Sequence, residues 1–276
     1  MKNWYEKIGV KKTKVDKNFS KHRIKPNSMI LTIGGTGTGK SNALVDFLDK
    51  KRDAFHDIII FSGSTTDEPL YNFLEKKIDG LTLINDIAEV PDLKEFDEDD
   101  KENEKLIVFD DFINLTKKEM KKINEYLTAG RKFGFTVWLN AQNYVSVPKT
   151  ITRNCHYFLL FKLNDNSTIQ NIIRNHNVDN IDKEYFKDFY VEATKEPMNF
   201  MMVDLKTDDP NDRLRLNFGA GLGPRTTKTG HTAVSEANVR CGSSVKSGYV
   251  KKMLYSNDFN PHLIQSPSLH LQTKFL

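Results

Sequence analysis

Residues 29–48 read MILTIGGTGTGKSNALVDFL, and this stretch decides the fold. The pattern G-x-x-x-x-G-K-[ST] is complete in eight residues that we call the phosphate loop: Gly34, Gly35, Thr36, Gly37, Thr38, Gly39, Lys40 and Ser41. In such a loop backbone N–H groups surround phosphate oxygens, the lysine reaches the β- and γ-phosphates, and the serine hydroxyl contacts Mg²⁺. The pattern predicts a nucleotide site in which Ser41 is a metal ligand.

The sequence on either side of the phosphate loop has the context that this site needs. Residues 29–33 form a short β-prone run, and apolar residues recur at helical spacing from Ala43 to Leu48. A strand, a glycine loop and a helix N-terminus together make an anion site. The alternative is a chance glycine turn, which requires neither the strand nor the helix.

A second informative stretch, residues 106–111, reads LIVFDD. Four apolar residues followed by acids are typical of a buried strand that presents a carboxylate at its carboxyl end, where ligands bind in open α/β sheets. Phosphate-loop enzymes use such an acid to hold Mg²⁺. We expect Asp110 to bind the metal and Asp111, just past the strand, to orient the attacking water. A turn aspartate at the strand end is the alternative reading.

Three polar residues farther along the chain are candidates for catalysis. Gln142 ends a predicted strand at residues 135–140, and its amide can sense the γ-phosphate or position water. An arginine often neutralises charge in the transition state of phosphoryl transfer, and Arg131 and Arg153 are candidates. For Arg131, capping the preceding helix is an equally good explanation. The expected catalytic set is Lys40, Asp111, Gln142, Arg131 and Arg153.

The order of elements predicts an α/β fold. Five or six β-prone runs alternate with helical patterns, which favours a mostly parallel sheet with helices on both faces. We expect the last strand at residues 200–204. Residues 86–104 contain ten acidic residues, and we expect a solvent-exposed surface segment there.

The net charge of +4 hides an uneven distribution. Residues 1–25 contain nine basic and two acidic residues, and residues 221–276 contain seven basic and two acidic residues. In residues 26–220 the 33 acidic residues outnumber the 25 basic ones. We therefore predict a loosely ordered basic arm at 1–25, a P-loop domain at 26–206 and a basic tail of low order at 207–276. Basic ends suit contact with a polyanion, although solvated tails explain them equally well.

Composition also limits the environment of the protein. Two cysteines, Cys155 and Cys241, cannot form a disulfide framework, so a reducing intracellular setting is expected. No apolar run approaches membrane-spanning length, and the basic N-terminus lacks the apolar core of a signal peptide. The histidines lack metal-ligand spacing, so no metal beyond the Mg²⁺ that accompanies nucleotide is expected.

Four runs of the sequence resemble one known group of proteins. They are GGTGTGKS, LIVFDDF, AGRKFGFTVWLNAQNY and VPKTITRNCHYFLLFK, within residues 28–205. Together they look like the genome-packaging ATPases of large nucleocytoplasmic DNA viruses and virophages, which belong to the FtsK–HerA superfamily of ring-forming DNA motors. The most specific part of the resemblance is the order of five motifs. The phosphate loop comes first, followed by a strand that ends in an acid, a Gly-Arg pair before a strand, a glutamine at the end of that strand, and an Arg-Asn pair before a further strand.

The resemblance implies a RecA/FtsK-like fold with an extra strand between the strands that carry the two nucleotide motifs. It also implies ATP at the phosphate loop, Mg²⁺ at Asp110, a catalytic acid at Asp111, a polar sensor at Gln142, and an arginine supplied to a neighbouring subunit by Arg131 or Arg153. One position departs from the superfamily, which usually has glutamate where this chain has Asp111. The shorter side chain must lie closer to the water.

The expected function is an ATP-hydrolysing motor that translocates double-stranded DNA into a viral capsid. The expected partners are double-stranded DNA bound without sequence preference, further copies in a homo-oligomeric ring, and a capsid or portal protein. The expected location is the host cytoplasm at viral assembly sites, or the virion. Three alternatives stay open: an ATPase of another virion assembly or export step, a small-molecule kinase, and a nucleotide-binding regulatory subunit with little turnover.

Overall fold

A computed structural model describes residues 4–7, 15–51, 54–63, 68–98, 100–176, 178, 181–219 and 221. Eight strands form one sheet: β1 (Met29–Ile33), β2 (Asp57–Ser62), β3 (Leu81–Ile84), β4 (Lys105–Asp110), β5 (Phe135–Ala141), β6 (Tyr157–Leu160), β7 (Met201–Asp204) and β8 (Leu214–Leu216). The α-helices are α1 (Trp4–Lys7), α2 (Phe19–His22), α3 (Lys40–Lys50), α4 (Pro69–Lys77), α5 (Met120–Ala129), α6 (Lys149–Thr152), α7 (Ser167–Asn175) and α8 (Lys183–Ala193). Short 3-10 turns lie at Ile87–Glu89, Leu93–Glu95, Phe112–Asn114, Gly130–Phe133 and Pro210–Asp212.

The order of strands in the sheet is β3-β2-β4-β5-β1-β6-β7-β8. All pairings from β3 to β6 are parallel, whereas β7 and β8 pair antiparallel. β5 therefore lies between β1 and β4, and this is the extra strand that the resemblance implies. In register, Ile33 of β1 faces Ala141, and Asp110 of β4 faces Asn140. The carboxyl ends of these three strands thus lie level at one edge of the sheet, which we call the carboxyl edge.

The central strands are apolar because helices cover both of their faces. Every residue of β5 is buried, as are the last four residues of β1. This is the pattern of parallel strands that have no solvent face. Two apolar clusters form, one on each side: α3 and α4 contribute Phe47 and Leu74 to the first, and α5 and α8 contribute Ile123 and Phe186 to the second. The predicted α/β fold, a mostly parallel sheet between helices, is confirmed.

The prediction that the last strand lies at residues 200–204 is wrong, because β8 follows it at the edge of the sheet. A buried ion pair joins the two strands: the Arg215 guanidinium donates to the Asp204 carboxylate, and both side chains are almost fully buried. Burial raises the pKa of Asp204, and the charge of Arg215 opposes this shift. The folded chain thus extends past residue 206, where sequence composition places the start of the tail.

Part of the predicted N-terminal arm packs against the sheet. His22 and Ile24 are fully buried, and the His22 ring packs edge-on against Phe47 of α3 with ring centroids 5.4 Å apart. Burial lowers the pKa of His22 to about 4, opposed by the charge of Asp16. Residues 15–25 therefore belong to the folded unit. Most of residues 1–14 and nearly all of the tail beyond residue 219 lie outside the described residues.

The expectation of a solvent-exposed surface segment at residues 86–104 is correct for most of its acidic residues and wrong for its apolar ones. Ile87, Val90 and Leu93 are buried and join the core beside α5. The acids mostly remain outside, although Glu104 is largely buried and pairs with the buried Lys51 at the end of α3. The segment therefore covers one side of the sheet as well as carrying charge.

Within the described part of the chain, no helix has the length and apolar character needed to cross a bilayer. Cys155 is buried and free of any disulfide, and Cys241 lies outside the described residues.

Candidate active site

The phosphate loop connects β1 to α3 at the carboxyl edge. Its start is tied to the sheet, since the Gly34 amide donates to the Ala141 carbonyl over 3.1 Å. Gly37 and Gly39 have φ of 76° and 108°, in the left-handed region that glycine adopts readily. The loop therefore turns directly into the N-terminus of α3, whose N–H groups and dipole suit a bound anion.

Lys40 lies folded over the phosphate loop. Its Nζ donates to the Gly34 carbonyl over 2.8 Å and to the Gly35 carbonyl over 3.0 Å. Burial lowers the pKa of Lys40, and the charges of Asp110 and Asp111 oppose this shift. The ammonium thus lies between the loop and the acids of β4, where it can neutralise phosphate charge.

Asp110 occupies the last position of β4, at the same edge. Burial raises the pKa of its carboxyl group, while a hydrogen bond from Tyr71 and the charge of Lys40 oppose the increase. Tyr71, on α4, is fully buried, and its hydroxyl donates to Asp110 Oδ2. The same hydroxyl is hydrogen-bonded to Ser41. One phenol therefore joins the two residues that the sequence assigns to the metal.

Tyr71 belongs to a chain of buried polar groups that the sequence analysis missed. The Trp138 indole N–H donates to Asn140 Oδ1 over 2.8 Å, and Asn140 Nδ2 donates to the Tyr71 hydroxyl over 3.4 Å. Trp138, Asn140 and Tyr71 are each at most 1% exposed. Burial raises the pKa of Tyr71 well above its usual range, assisted by the charge of Asp110. The hydroxyl therefore stays protonated and acts as a donor.

Asp111 and Gln142 meet on the open side of the same edge. Asp111 follows the end of β4 with φ 52° and ψ 41°, a left-handed conformation that costs a non-glycine residue about 1 kcal/mol or more. Asp111 therefore lies just past the strand, as the sequence predicts. Gln142 Nε2 donates to Asp111 Oδ1 over 3.4 Å. The amide and the carboxylate can therefore share one water molecule.

The donor set at this edge fits Mg²⁺. Ser41 and Asp110 supply a hydroxyl and carboxylate oxygens, which are the hard donors that Mg²⁺ prefers, and the shared Tyr71 hydroxyl holds them close together. Mg²⁺ in nucleotide sites takes only one or two protein ligands and completes its shell with phosphate oxygens and water. Among the described residues, no cluster of three or more His, Cys, Asp or Glu forms another metal site.

The two candidate arginines lie at the opposite edge. Arg131 is in the 3-10 turn that precedes β5, and Arg153 follows α6 shortly before β6. Both side chains are exposed. The seven residues of β5 span about 20 Å, so Arg131 lies too far away to reach the phosphate loop of the same chain.

Arg131 belongs to a group that we call the basic cluster: Lys25, Arg131, His156 and Lys206. Lys25 Nζ donates to the Lys206 carbonyl over 2.9 Å. Burial, together with the charges of Lys25 and Arg131, lowers the pKa of Lys206 to about 8. Burial likewise lowers the pKa of His156 to about 4, with Lys206 and Arg131 contributing. The positive charges of Lys25, Arg131 and Lys206, held together in this way, favour an anionic partner.

The sequence matches the profile of a known protein family. The profile described as "Poxvirus A32 protein" matches residues 16–199, two thirds of the chain, including the whole phosphate loop and every predicted site residue. No curated protein matches the sequence.

Solved structures with a similar backbone are known. The DNA-packaging ATPase B204 of Sulfolobus turreted icosahedral virus is 15% identical with a TM-score of 0.48, and the match covers 70% of this chain and 98% of that one. ATPases 2 and 3 of EssC from Geobacillus thermodenitrificans are 13% identical with a TM-score of 0.45, over 72% of this chain and 40% of that one. These similarities concern the course of the backbone alone.

Proposed function

The chain belongs to the Poxvirus A32 protein family, and from that premise we propose that it is an ATP-hydrolysing motor that moves double-stranded DNA into a viral capsid. The observation that carries the proposal is the meeting of Lys40, Asp110, Asp111 and Gln142 at the carboxyl edge. A phosphate cradle, a metal-binding acid and a water-positioning pair are the parts that nucleotide hydrolysis needs.

Each residue of the site has a role in this proposal. The amides of the phosphate loop and α3 hold the triphosphate, and Lys40 neutralises its β- and γ-oxygens. Ser41 and Asp110 would hold Mg²⁺, and the metal would supply positive charge to the β- and γ-phosphates. Tyr71 keeps both ligands in place through its hydroxyl.

Asp111 and Gln142 orient the attacking water in line with the γ-phosphate. Asp111 accepts a hydrogen bond from this water and Gln142 fixes its direction, which is chiefly a positioning role. The side chain of Asp111 is shorter than the glutamate that is usual at this position. The Gln142 amide, which donates to Asp111, adds a second polar group that can contact the water.

We further propose that the protein works as a ring in which Arg131 of one subunit completes the site of the next. Because Arg131 lies about 20 Å from its own phosphate loop, it can act only on a neighbouring site. The basic cluster around it supports contact with phosphate. Arg153, at the same edge but without a described link to this cluster, is the second candidate.

The DNA contacts proposed here are to phosphates, so binding is independent of sequence and weakened by salt. The basic ends of the chain can add to this contact. The further partner is a capsid or portal protein, and the proposed location is the host cytoplasm at viral assembly sites, or the virion.

The test is the steady-state ATPase rate with and without duplex DNA, together with particle size in the presence of an ATP analogue and DNA. The proposal expects stimulation by DNA and a particle of several subunits. Turnover that requires a phosphate acceptor would instead identify a kinase. Tight ATP binding without turnover would identify a regulatory subunit, and an ATPase indifferent to DNA would fit another assembly step.

A further inference from the structure

The connection between α8 and β7 lies against the last glycine of the phosphate loop. A Cβ placed on Gly39 would lie 3.2 Å from both Cα and Cβ of Met198 and 3.3 Å from its Cγ. Contacts this close mean that a side chain at Gly39 would push against Met198. Met198 is therefore an immediate neighbour of the loop's turn into α3.

Met198 is held in an unusual conformation with its side chain exposed. Its φ is 66°, and 57% of its surface is accessible, which makes it one of few exposed large apolar residues among those described. A left-handed methionine costs about 1 kcal/mol or more and persists only where the surroundings enforce it. Such strain occurs preferentially at functional sites.

The neighbours of Met198 fix this conformation. Asn217 Nδ2 donates to Asn199 Oδ1 over 2.9 Å, and the Phe200 amide donates to Asn217 Oδ1 over 3.0 Å. Phe200 is buried between Phe161 and Phe218, with ring centroids 5.1 Å from each. The segment is thus anchored to the sheet by β8 and by an aromatic stack, while the Met198 side chain faces outward.

The sheet order gives the direction in which a bound nucleotide extends. The acids and Gln142 that act on the γ-phosphate lie on the β4–β5 side of β1. A triphosphate whose γ-phosphate lies on that side of the phosphate loop would extend its nucleoside toward β6 and β7. Met198, just before β7, lies on this second side.

We propose that Met198 forms an apolar contact for the purine ring of the nucleotide whose phosphates occupy the phosphate loop. A flexible, polarisable thioether suits this role, because methionine sulfur packs favourably against aromatic rings. This inference rests on the proposed nucleotide site and adds the part of the protein that contacts the base.

The test compares ATP with inorganic tripolyphosphate, which has the phosphates but no base, by isothermal titration calorimetry with Mg²⁺. Met198→Gly removes the side chain and keeps the backbone, since glycine adopts φ of 66° without strain. We expect ATP binding to weaken about two- to tenfold, in line with sulfur–aromatic contacts, and tripolyphosphate binding to stay unchanged. Met198→Leu should restore most of the ATP affinity, and Val191→Ala, an exposed position on α8, should change neither ligand.

Two results would overturn this inference. Equal weakening of both ligands would mean that Met198 only shapes the loop, and unchanged ATP affinity in Met198→Gly would mean that the base does not contact it. Failure of the wild-type protein to bind either ligand, with no difference from Lys40→Ala, would instead contradict the nucleotide site on which the inference rests.

Discussion

Replacing Tyr71 by phenylalanine isolates the contribution of one hydroxyl group to the metal site. The ring stays in place in the core, so no cavity forms, and the hydroxyl is lost together with its hydrogen bonds to Asp110, Ser41 and Asn140. A hydrogen bond to a charged group contributes about 1.5–3 kcal/mol, so we expect a loss of about 2 kcal/mol in the free energy of unfolding. Because partners of metal ligands tune affinity by about 10–100-fold, we also expect a higher Mg²⁺ requirement in that range.

Two measurements separate these effects. Urea unfolding in a chelator reports stability, and the Mg²⁺ concentration for half-maximal ATPase activity at fixed ATP reports the site. Tyr126→Phe is the matched control: Tyr126 is 1% exposed and its hydroxyl donates to the Pro91 carbonyl over 2.8 Å, a hydrogen bond that involves neither Ser41 nor Asp110. The control should lose about 1 kcal/mol of stability and keep its Mg²⁺ dependence. A Tyr71→Phe protein that loses stability but keeps its Mg²⁺ dependence would refute the positioning role.

Three further predictions concern the phosphate loop, the arginine and pH. Lys40→Ala should bind and hydrolyse ATP at least tenfold less well with a nearly unchanged melting temperature; undiminished activity would contradict the site. Arg131→Ala should bind ATP but hydrolyse it poorly, and mixing with Asp111→Asn subunits should restore part of the activity, because the site of an Arg131→Ala subunit keeps its acid and receives an intact arginine from an Asp111→Asn neighbour; absence of rescue would argue against a trans-acting Arg131. His156 Nδ1 accepts from the Met29 amide over 2.9 Å, so the ring must be neutral, and burial lowers its pKa to about 4. The unfolded chain binds this proton with a pKa of about 6.5, whereas the folded chain binds it only at lower pH. Protonation therefore favours the unfolded chain, and we expect this residue to lower the free energy of unfolding by about 2 kcal/mol between pH 8 and pH 5. His156→Asn should flatten this part of the pH profile in chemical unfolding, and an unchanged profile would contradict the assignment.

The parts of the site that the sequence predicted are those encoded locally. Asp110 is the last residue of a strand, and the phosphate loop, Asp111 and Gln142 each directly follow one. A hydrophobic run followed by a polar residue is visible without any tertiary information. Parallel pairing then brings these strand ends to one edge. The resemblance to viral packaging ATPases is confirmed by the family match, whereas the roles of the individual residues stay predictions.

Tyr71 was missed because its role arises only in the folded chain. It lies 39 residues before Asp110, on a helix where a tyrosine at an inner position is expected to be core. The polar residue Asn140 inside the predicted strand at 135–140 was the available signal, since a buried amide requires a partner.

The errors at the boundaries have a similar cause. β8 has only three residues, and the charged Arg215 at its centre makes the sequence look like a surface segment. Its partner Asp204 lies eleven residues away, so the sequence pattern does not show that the charge is paired and buried. In the acidic segment, carboxylates cap short turns: Asp86 accepts from the Ala88 amide over 2.9 Å while the next apolar residues pack inward. The composition of this segment shows its high charge, but it does not show that the apolar residues between the acids are buried.

Movement along DNA is the central claim, and displacement of a triplex-forming oligonucleotide from duplex DNA tests it most directly. A translocating ring removes the third strand as it advances, so displacement should require ATP and Mg²⁺ and should be lost with Lys40→Ala. Hydrolysis of ATP on this DNA with the third strand still bound would contradict the account.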